Sequence, residues 1–173
     1  MSEKPKRMAI IAGKGQLDEA FPPMILASTA AALDMEVAIF FTFYGLNLIS
    51  KKKVNIKKGK DSLKVSPVGN AAMPGPKIPI LGWTMPVAQI MAIIPGMTWF
   101  ATKMMRSWMK KAHVATYAEL LEACIDADVK LIGCQMTMDV FGYKKEDLID
   151  GIEIAGAASF LEFAQEADIT LYM

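Results

Sequence analysis

Val37-Ala-Ile-Phe-Phe-Thr-Phe-Tyr44 is a near-continuous run of apolar, β-branched and aromatic residues closed by Gly45. With no polar alternation, such a run fits a parallel strand covered on both faces. Upstream, Met8-Ala-Ile-Ile-Ala12 has the same character and runs into the turn Gly13-Lys14-Gly15-Gln16. Between the two strands, Met24, Ile25, Ala27, Ser28, Ala31, Ala32 and Met35 recur at helical spacing. Pro22 and Pro23 precede them, where the first turn of a helix tolerates proline. The chain thus opens strand, helix, strand.

The same alternation returns near the C-terminus. Tyr117, Leu120, Leu121, Cys124 and Ile125 share one helical face. Strand Lys130-Leu-Ile-Gly-Cys134 follows, then a short helical piece over Met136 to Phe141, a segment from Lys144 to Ile149 and a turn at Asp150-Gly151. A short strand at Ile152 to Ile154, a helix from Ala157 to Glu166 and a last strand at Ile169 to Tyr172 complete the pattern. Repeated β and α units predict a doubly wound, mostly parallel α/β sheet with helices on both faces, in a single domain over 1–173.

Two stretches depart from this pattern. Leu46-Asn-Leu-Ile-Ser50 reads as the start of a helix that gives way to an exposed loop with seven lysines between Lys51 and Lys64. Its simplest role is a solvated surface, its sharper one the docking of an acidic partner. From Ile78 to Thr102 there is no charged residue, and Met73 to Met109 holds all three tryptophans. Pro79, Gly82, Pro86, Pro95 and Gly96 interrupt this run too often for a spanning helix, so a broken helical insert serving a subunit interface or site cover is favoured over membrane contact.

Composition narrows the function. With 53% hydrophobic and 21% charged residues, disorder is excluded as the main state of the chain. A formal charge of +1 gives no overall field toward nucleic acid. Two cysteines outside any CxxC pair, and a polar MSEKPKR start without an apolar stretch behind it, fit a reducing cytoplasm. His113 has no partner histidine, so no metal is assigned. Gly13-Lys14-Gly15 lacks both phosphate-loop and dinucleotide patterns. Asp18, Glu19, Asp139 and Asp147 have no spacing that marks a general acid and base.

Chemistry in open α/β sheets collects at the carboxyl ends of strands. Here these are Gly13 to Gln16, Thr42 to Asn47 and Cys134 to Thr137, and the last carries a thiol. At a strand-to-helix junction, backbone N–H groups favour thiolate, whereas the plain reading of a lone cysteine is a small core residue. Cys124, on an apolar helix face, reads as a packing residue and only weakly as a second, resolving thiol.

Gly133-Cys-Gln-Met-Thr-Met-Asp139, Phe141-Gly142, Asp150-Gly151 and Gly156-Ala-Ala-Ser-Phe160 together resemble the DsrE/DsrF-like family of sulfur-handling proteins. Gly13-Lys14-Gly15, Ala31-Ala-Leu-Asp-Met35 and Phe41-Thr-Phe-Tyr-Gly-Leu-Asn47 match its N-terminal half, and the apolar insert at 73–109 matches one branch of it. The resemblance implies a flavodoxin-like fold, trimeric or hexameric homo-oligomers and a cysteine that accepts and passes on sulfane sulfur. That cysteine is Cys134. Donors and acceptors would be partner proteins or small sulfur compounds, with no cofactor, metal or nucleic acid. Gly13, Lys14, Gly15, Gln135, Met136 and Thr137 are then candidates for stabilising a persulfide anion, and Phe43, Tyr44 and Asn47 for lining the cleft. Two other readings stay open: a thiol peroxidase-like protein, disfavoured because Val129-Lys-Leu-Ile-Gly133 lacks the peroxiredoxin threonine and proline arrangement, and a non-catalytic oligomeric module with Cys134 merely buried.

Overall fold

The computed structural model describes residues 5–66 and 96–173. These fall into two compact units, one of residues 5–15, 19–63 and 115–173, the other of residues 16–18, 64–66 and 96–114.

The first unit is built on a five-stranded parallel sheet. Its strands are β1 (Arg7–Ala12), β2 (Glu36–Phe41), β5 (Lys130–Cys134), β6 (Glu153–Ala155) and β7 (Ile169–Tyr172), in the order β6-β5-β2-β1-β7. Ile39 sits between Ile10 of β1 and Leu131 of β5, so the apolar run that opens the sequence lies at the centre of the sheet. The fold class read from the sequence is correct. Chain direction explains the layers: β1, β2, β5 and β6 step one way across the sheet, and β7 returns to the far side of β1. Right-handed crossovers then put α1 (Leu17–Ala32) and α3 (Tyr117–Asp126) on one face and α5 (Ala157–Ala164) on the other.

Each helix has a local cause. Thr116 and Glu119 form a capping box that starts α3, with Thr116 N–H donating to Glu119 Oε2 at 2.7 Å and Glu119 N–H to Thr116 Oγ1 at 3.3 Å. Asp34, at φ 58°, closes α1 in the left-handed conformation while Met35 N–H reaches back to Ala30 O at 3.1 Å. The helices α1 and α3 meet through Phe21 and Tyr117, ring centroids 6.4 Å apart, and the Tyr117 hydroxyl donates to Leu48 O at 3.0 Å.

Three expectations are corrected. The helix α1 begins at Leu17, so Pro22 and Pro23 lie inside it rather than at its start. Their missing N–H groups would have faced the carbonyls of Asp18 and Glu19 in the first turn, and the rest of the helix keeps its ladder. Strand β2 stops at Phe41, and Phe43–Ile49 is a 3-10 helix in place of an α-helix beginning at Leu46. The lysine-rich stretch is a small antiparallel hairpin of β3 (Val54–Asn55) and β4 (Lys60–Asp61), anchored by buried Val54 and Leu63. Thr116 Oγ1 also donates to Gly59 O at 3.4 Å and ties the hairpin to the start of α3.

In the second unit, α2 (Met97–Lys111) buries Ala101 and Thr102, and the Thr102 hydroxyl accepts from Val65 N–H at 3.2 Å. Residues 73–95 of the apolar insert lie outside the described residues. Among the described residues, no helix is long and apolar enough to cross a membrane.

The remaining helix, α4 (Gln135–Phe141), follows β5 directly. Two glycines let the loops at this end of the sheet close on one another. A Cβ on Gly45 would press into Ala12 O, and one on Gly15 into Tyr44 O, both far inside contact distance with backbone that cannot rotate away. Gly45→Ala should therefore cost at least ~2 kcal/mol in urea unfolding, whereas Gly156→Ala, whose Cβ would meet nothing within 4 Å, should stay within about 1 kcal/mol of wild type.

Candidate functional site

Side chains alternate along β5, so Ile132 and Cys134 share a face while Leu131 and Gly133 share the other. Cys134 points to the α5 side. There it joins an apolar cluster of Ala9, Ala38, Phe40, Ile132 and Phe160, in which the Phe40 and Phe160 rings stack at 4.9 Å. Cys134 is 4% exposed, as the plain reading of a lone cysteine has it. The cause is non-local, because Phe160 of α5 reaches the cluster from a helix that begins after β6.

The layer over the sulfur is thin on one side. Cys134 pairs with Ala155, which is only half-buried, and the next residue, Gly156, is exposed with nothing near its Cβ position. Cys134 is also the N-cap of α4, in extended conformation at φ −69° and ψ 113°, and makes no side-chain cap hydrogen bond. The sulfur thus sits at the last rung of the sheet, covered by the side chains of its apolar cluster.

Of the three residues after Cys134, Gln135 and Thr137 have other partners. Gln135 Nε2 donates to Asp139 Oδ1 at 2.9 Å, Met136 is exposed, and Thr137 is buried with its hydroxyl 3.2 Å from Thr42 Oγ1. Thr137 Oγ1 also accepts from Phe43 N–H at 3.2 Å. Any contribution of this segment to an anion on Cys134 falls to backbone amides. Gly13, Lys14 and Gly15 are farther away: β2 stands between β1 and β5, a separation of roughly 10 Å. Gly13 N–H donates to Met173 O at 2.8 Å, and Lys14 Nζ pairs with Glu19 at 3.0 Å.

Phe43, Tyr44 and Asn47 are brought together with α4. Tyr44 meets Phe141 with ring centroids 5.7 Å apart, and the Tyr143 hydroxyl donates to Asn47 Oδ1 at 3.2 Å. With Lys52, these five line a cavity of about 370 Å³. Phe43 is at φ 47°, a strained conformation for a bulky residue, and its bond to Thr137 helps hold it there. Phe141 and Tyr143 were not singled out as cleft residues from the sequence; their signal was an aromatic on each side of Gly142, which ends α4 at φ 68°.

Cys124 is fully buried on the opposite face. Its thiol donates to Met24 O at 3.6 Å, and burial pushes its pKa up to about 11. The two sulfurs face different layers of the fold, so they cannot pair without backbone movement. Among the described residues, no group of three or more His, Cys, Asp or Glu side chains is placed to hold a metal.

A family model described as the DsrE/DsrF/DrsH-like family matches residues 4–172. The chain belongs to this family. It is 50% identical over 173 residues to the sulfur carrier protein DsrE2 of Allochromatium vinosum, covering 97% of this chain and 98% of that protein. It is 34% identical over 177 residues to the uncharacterized protein YrkE of Bacillus subtilis, with both chains fully covered. A crystal structure of the ychN protein from E. coli aligns over 97% of this chain and 99% of that one, with a TM-score of 0.47 and 13% identity. Family membership therefore rests on sequence.

Two measurements test the local geometry. Thr137→Val leaves the Phe43 N–H without its acceptor and should cost about 1–3 kcal/mol in urea unfolding. For Cys124, the folded protein holds its proton above the ordinary pKa of 9.0, so the neutral thiol favours folding below pH 9 and this contribution is lost as pH rises toward about 11. The decline of stability across that window should be shallower in Cys124→Ala than in wild type, read as the slope of unfolding free energy against pH.

Proposed function

We propose that the protein carries sulfane sulfur on Cys134. The observation that supports this most is 50% identity, across nearly the whole of both chains, to a protein named a sulfur carrier. Cys134 is the better candidate of the two cysteines because Cys124 is locked in a helix-packed interior with its thiol held neutral. The reading includes a reducing cytoplasm and a homo-oligomeric, trimeric or hexameric assembly.

The chemistry needs only a thiolate. Cys134 Sγ attacks the outer sulfur of a donor persulfide, a bond forms between the two sulfurs, the donor S–S bond breaks and the donor leaves as a thiolate. With thiosulfate the leaving group is sulfite. In the second step an acceptor thiolate attacks the terminal sulfur of the Cys134 persulfide, and Cys134 departs as thiolate. Sulfur changes hands at its existing oxidation level, with no external oxidant. Reaction requires the layer beside Ala155 and Gly156 to open, since both donor and acceptor must approach the sulfur along the line of the S–S bond. The aromatic cavity at Phe43 and Tyr44, at the same end of the sheet, is the surface on which a donor or acceptor would rest.

The burial of Cys134 favours a second reading, a non-catalytic assembly module whose cysteine only fills the core. Intact-protein mass spectrometry after incubation with polysulfide or thiosulfate separates the two. Sulfur carriage predicts added sulfur mass on wild type and on Cys124→Ser and none on Cys134→Ser, with transfer of that mass to an added thiol. If all three proteins stay unmodified and Cys134 also resists alkylation in the folded state, sulfur carriage is overturned in favour of the assembly module.

A further inference from the structure

The lysines that follow the 3-10 helix are displayed on an ordered hairpin. Segments 51–63 and 144–150 pack side by side: Lys51 N–H donates to Asp147 O at 2.8 Å and Ile149 N–H to Ile49 O at 2.9 Å. Together they hold eight lysines against four carboxylates, in a chain whose formal charge is only +1. Some of this charge is neutralised locally, by Lys51 with Asp150 at 2.9 Å and Lys52 with Asp147 at 3.5 Å. Among the described residues, Lys53, Lys57, Lys58 and Lys60 have no carboxylate within ion-pairing distance, and all four are exposed.

This charge surrounds a concave surface. Two cavities of about 650 Å³ and 520 Å³ adjoin one another along Lys51, Ile149 and Asp150, and the groove is the two together. Ile56, Ile149 and Ile152 supply an aliphatic floor, with Lys57 at one end and Lys145 at the other. Among the described residues, no aromatic side chain lines either cavity, and so none of them offers the stacking platform that single-stranded nucleic acid uses. A concave site with an aliphatic floor also suits an inserted side chain better than a flat lipid surface.

We propose that this groove docks an acidic segment of a partner protein, with a leucine-like side chain on the isoleucine floor and carboxylates on the lysine rim. The charge excess draws the segment in, and the floor gives it register. Asp150 already takes Lys51 at 2.9 Å and Glu146 takes Lys144 at 3.9 Å, which leaves Lys57 and Lys145 for the partner's carboxylates. The site is separate from the Cys134 chemistry and does not depend on it.

Fluorescence anisotropy with the labelled octapeptide EDLEELDE and the full-length protein tests this. Binding should weaken as salt rises, fall at least ~10-fold in Lys57→Glu/Lys145→Glu, and fall ~3-fold or more when both peptide leucines are replaced by serine. The reversal Lys110→Glu/Lys111→Glu on α2 should leave affinity within about twofold of wild type, and so should Cys134→Ser. Circular dichroism and melting temperature check that each variant folds, and Lys57→Gln/Lys145→Gln gives a milder test should the reversals unfold the protein. Equal loss in the α2 reversal, equal binding of the serine peptide, or binding of phosphatidylglycerol vesicles or oligo(dT) with none of the peptide would each overturn the proposal.

Discussion

The two-residue repeat of a β-strand governs this molecule's chemistry. Along β5 it sends Leu131 and Gly133 toward the α1 and α3 layer and Ile132 and Cys134 toward α5, and register with β2 sets Ile132 beside Phe40. A shift of one residue would exchange Gly133 and Cys134 and bring the thiol against Ile49, Leu148 and Ile152, the side chains nearest the Gly133 Cβ position. The actual register puts the sulfur under α5 instead. Among the described residues, the eight-residue α5 is the helix on that face, and its Phe160 packs in the cluster that covers the sulfur. Burial and proximity to solvent are therefore compatible: Cys134 is covered, yet it is the last residue of its strand and pairs with a half-buried alanine beside an exposed glycine.

At the same end of the sheet, backbone rather than side-chain chemistry holds the loops in place. Thr42 N–H donates to Ala12 O at 3.1 Å, and Gly45 approaches that same carbonyl from the other side. The chain must turn sharply between the two contacts, and Phe43 takes the strain at φ 47°. Thr137 offsets it by accepting the Phe43 N–H, so a residue one turn beyond the cysteine fixes the wall of the aromatic cavity. Motion of α4 would thus be felt at Phe43 and Tyr44, which couples the segment carrying the thiol to the surface where a reactant would rest.

The sequence discloses what periodicity and composition encode. The buried run at Val37 to Phe41 and the strand ending in Cys134 were legible because parallel strands covered on both faces are largely apolar, whereas the final strand at Ile169 to Tyr172 is an exposed edge marked by β-branched and aromatic residues. What escaped it depends on contacts between distant residues. Nothing local tells that α1 accommodates two prolines, since that rests on the first turn surviving without two ladder bonds. The lysine run looked like open loop because polar residues dominate it; its order comes from Val54 and Leu63 packing inward and from the Thr116 bond to Gly59. What buries Cys134 was illegible for the same reason, as its cover comes from a residue 26 positions further along the chain.

A near-zero total charge was a poor guide to the surface, because it averages over regions that folding separates. Ion pairs elsewhere consume acidic groups in place: Arg7 alone meets both Glu36, at 2.6 Å, and Glu166. The hairpin and the segment after α4 keep a two-to-one ratio of lysines to carboxylates, and their long-range field is weakened less by cancellation than the whole-chain figure implies. Salt screens such a field within about 8 Å at physiological strength, so it acts only on a partner that is already close. A basic rim of this reach selects among colliding surfaces, and the isoleucine floor then decides which of them stays, so charge and apolar contact divide recognition into an early and a late step.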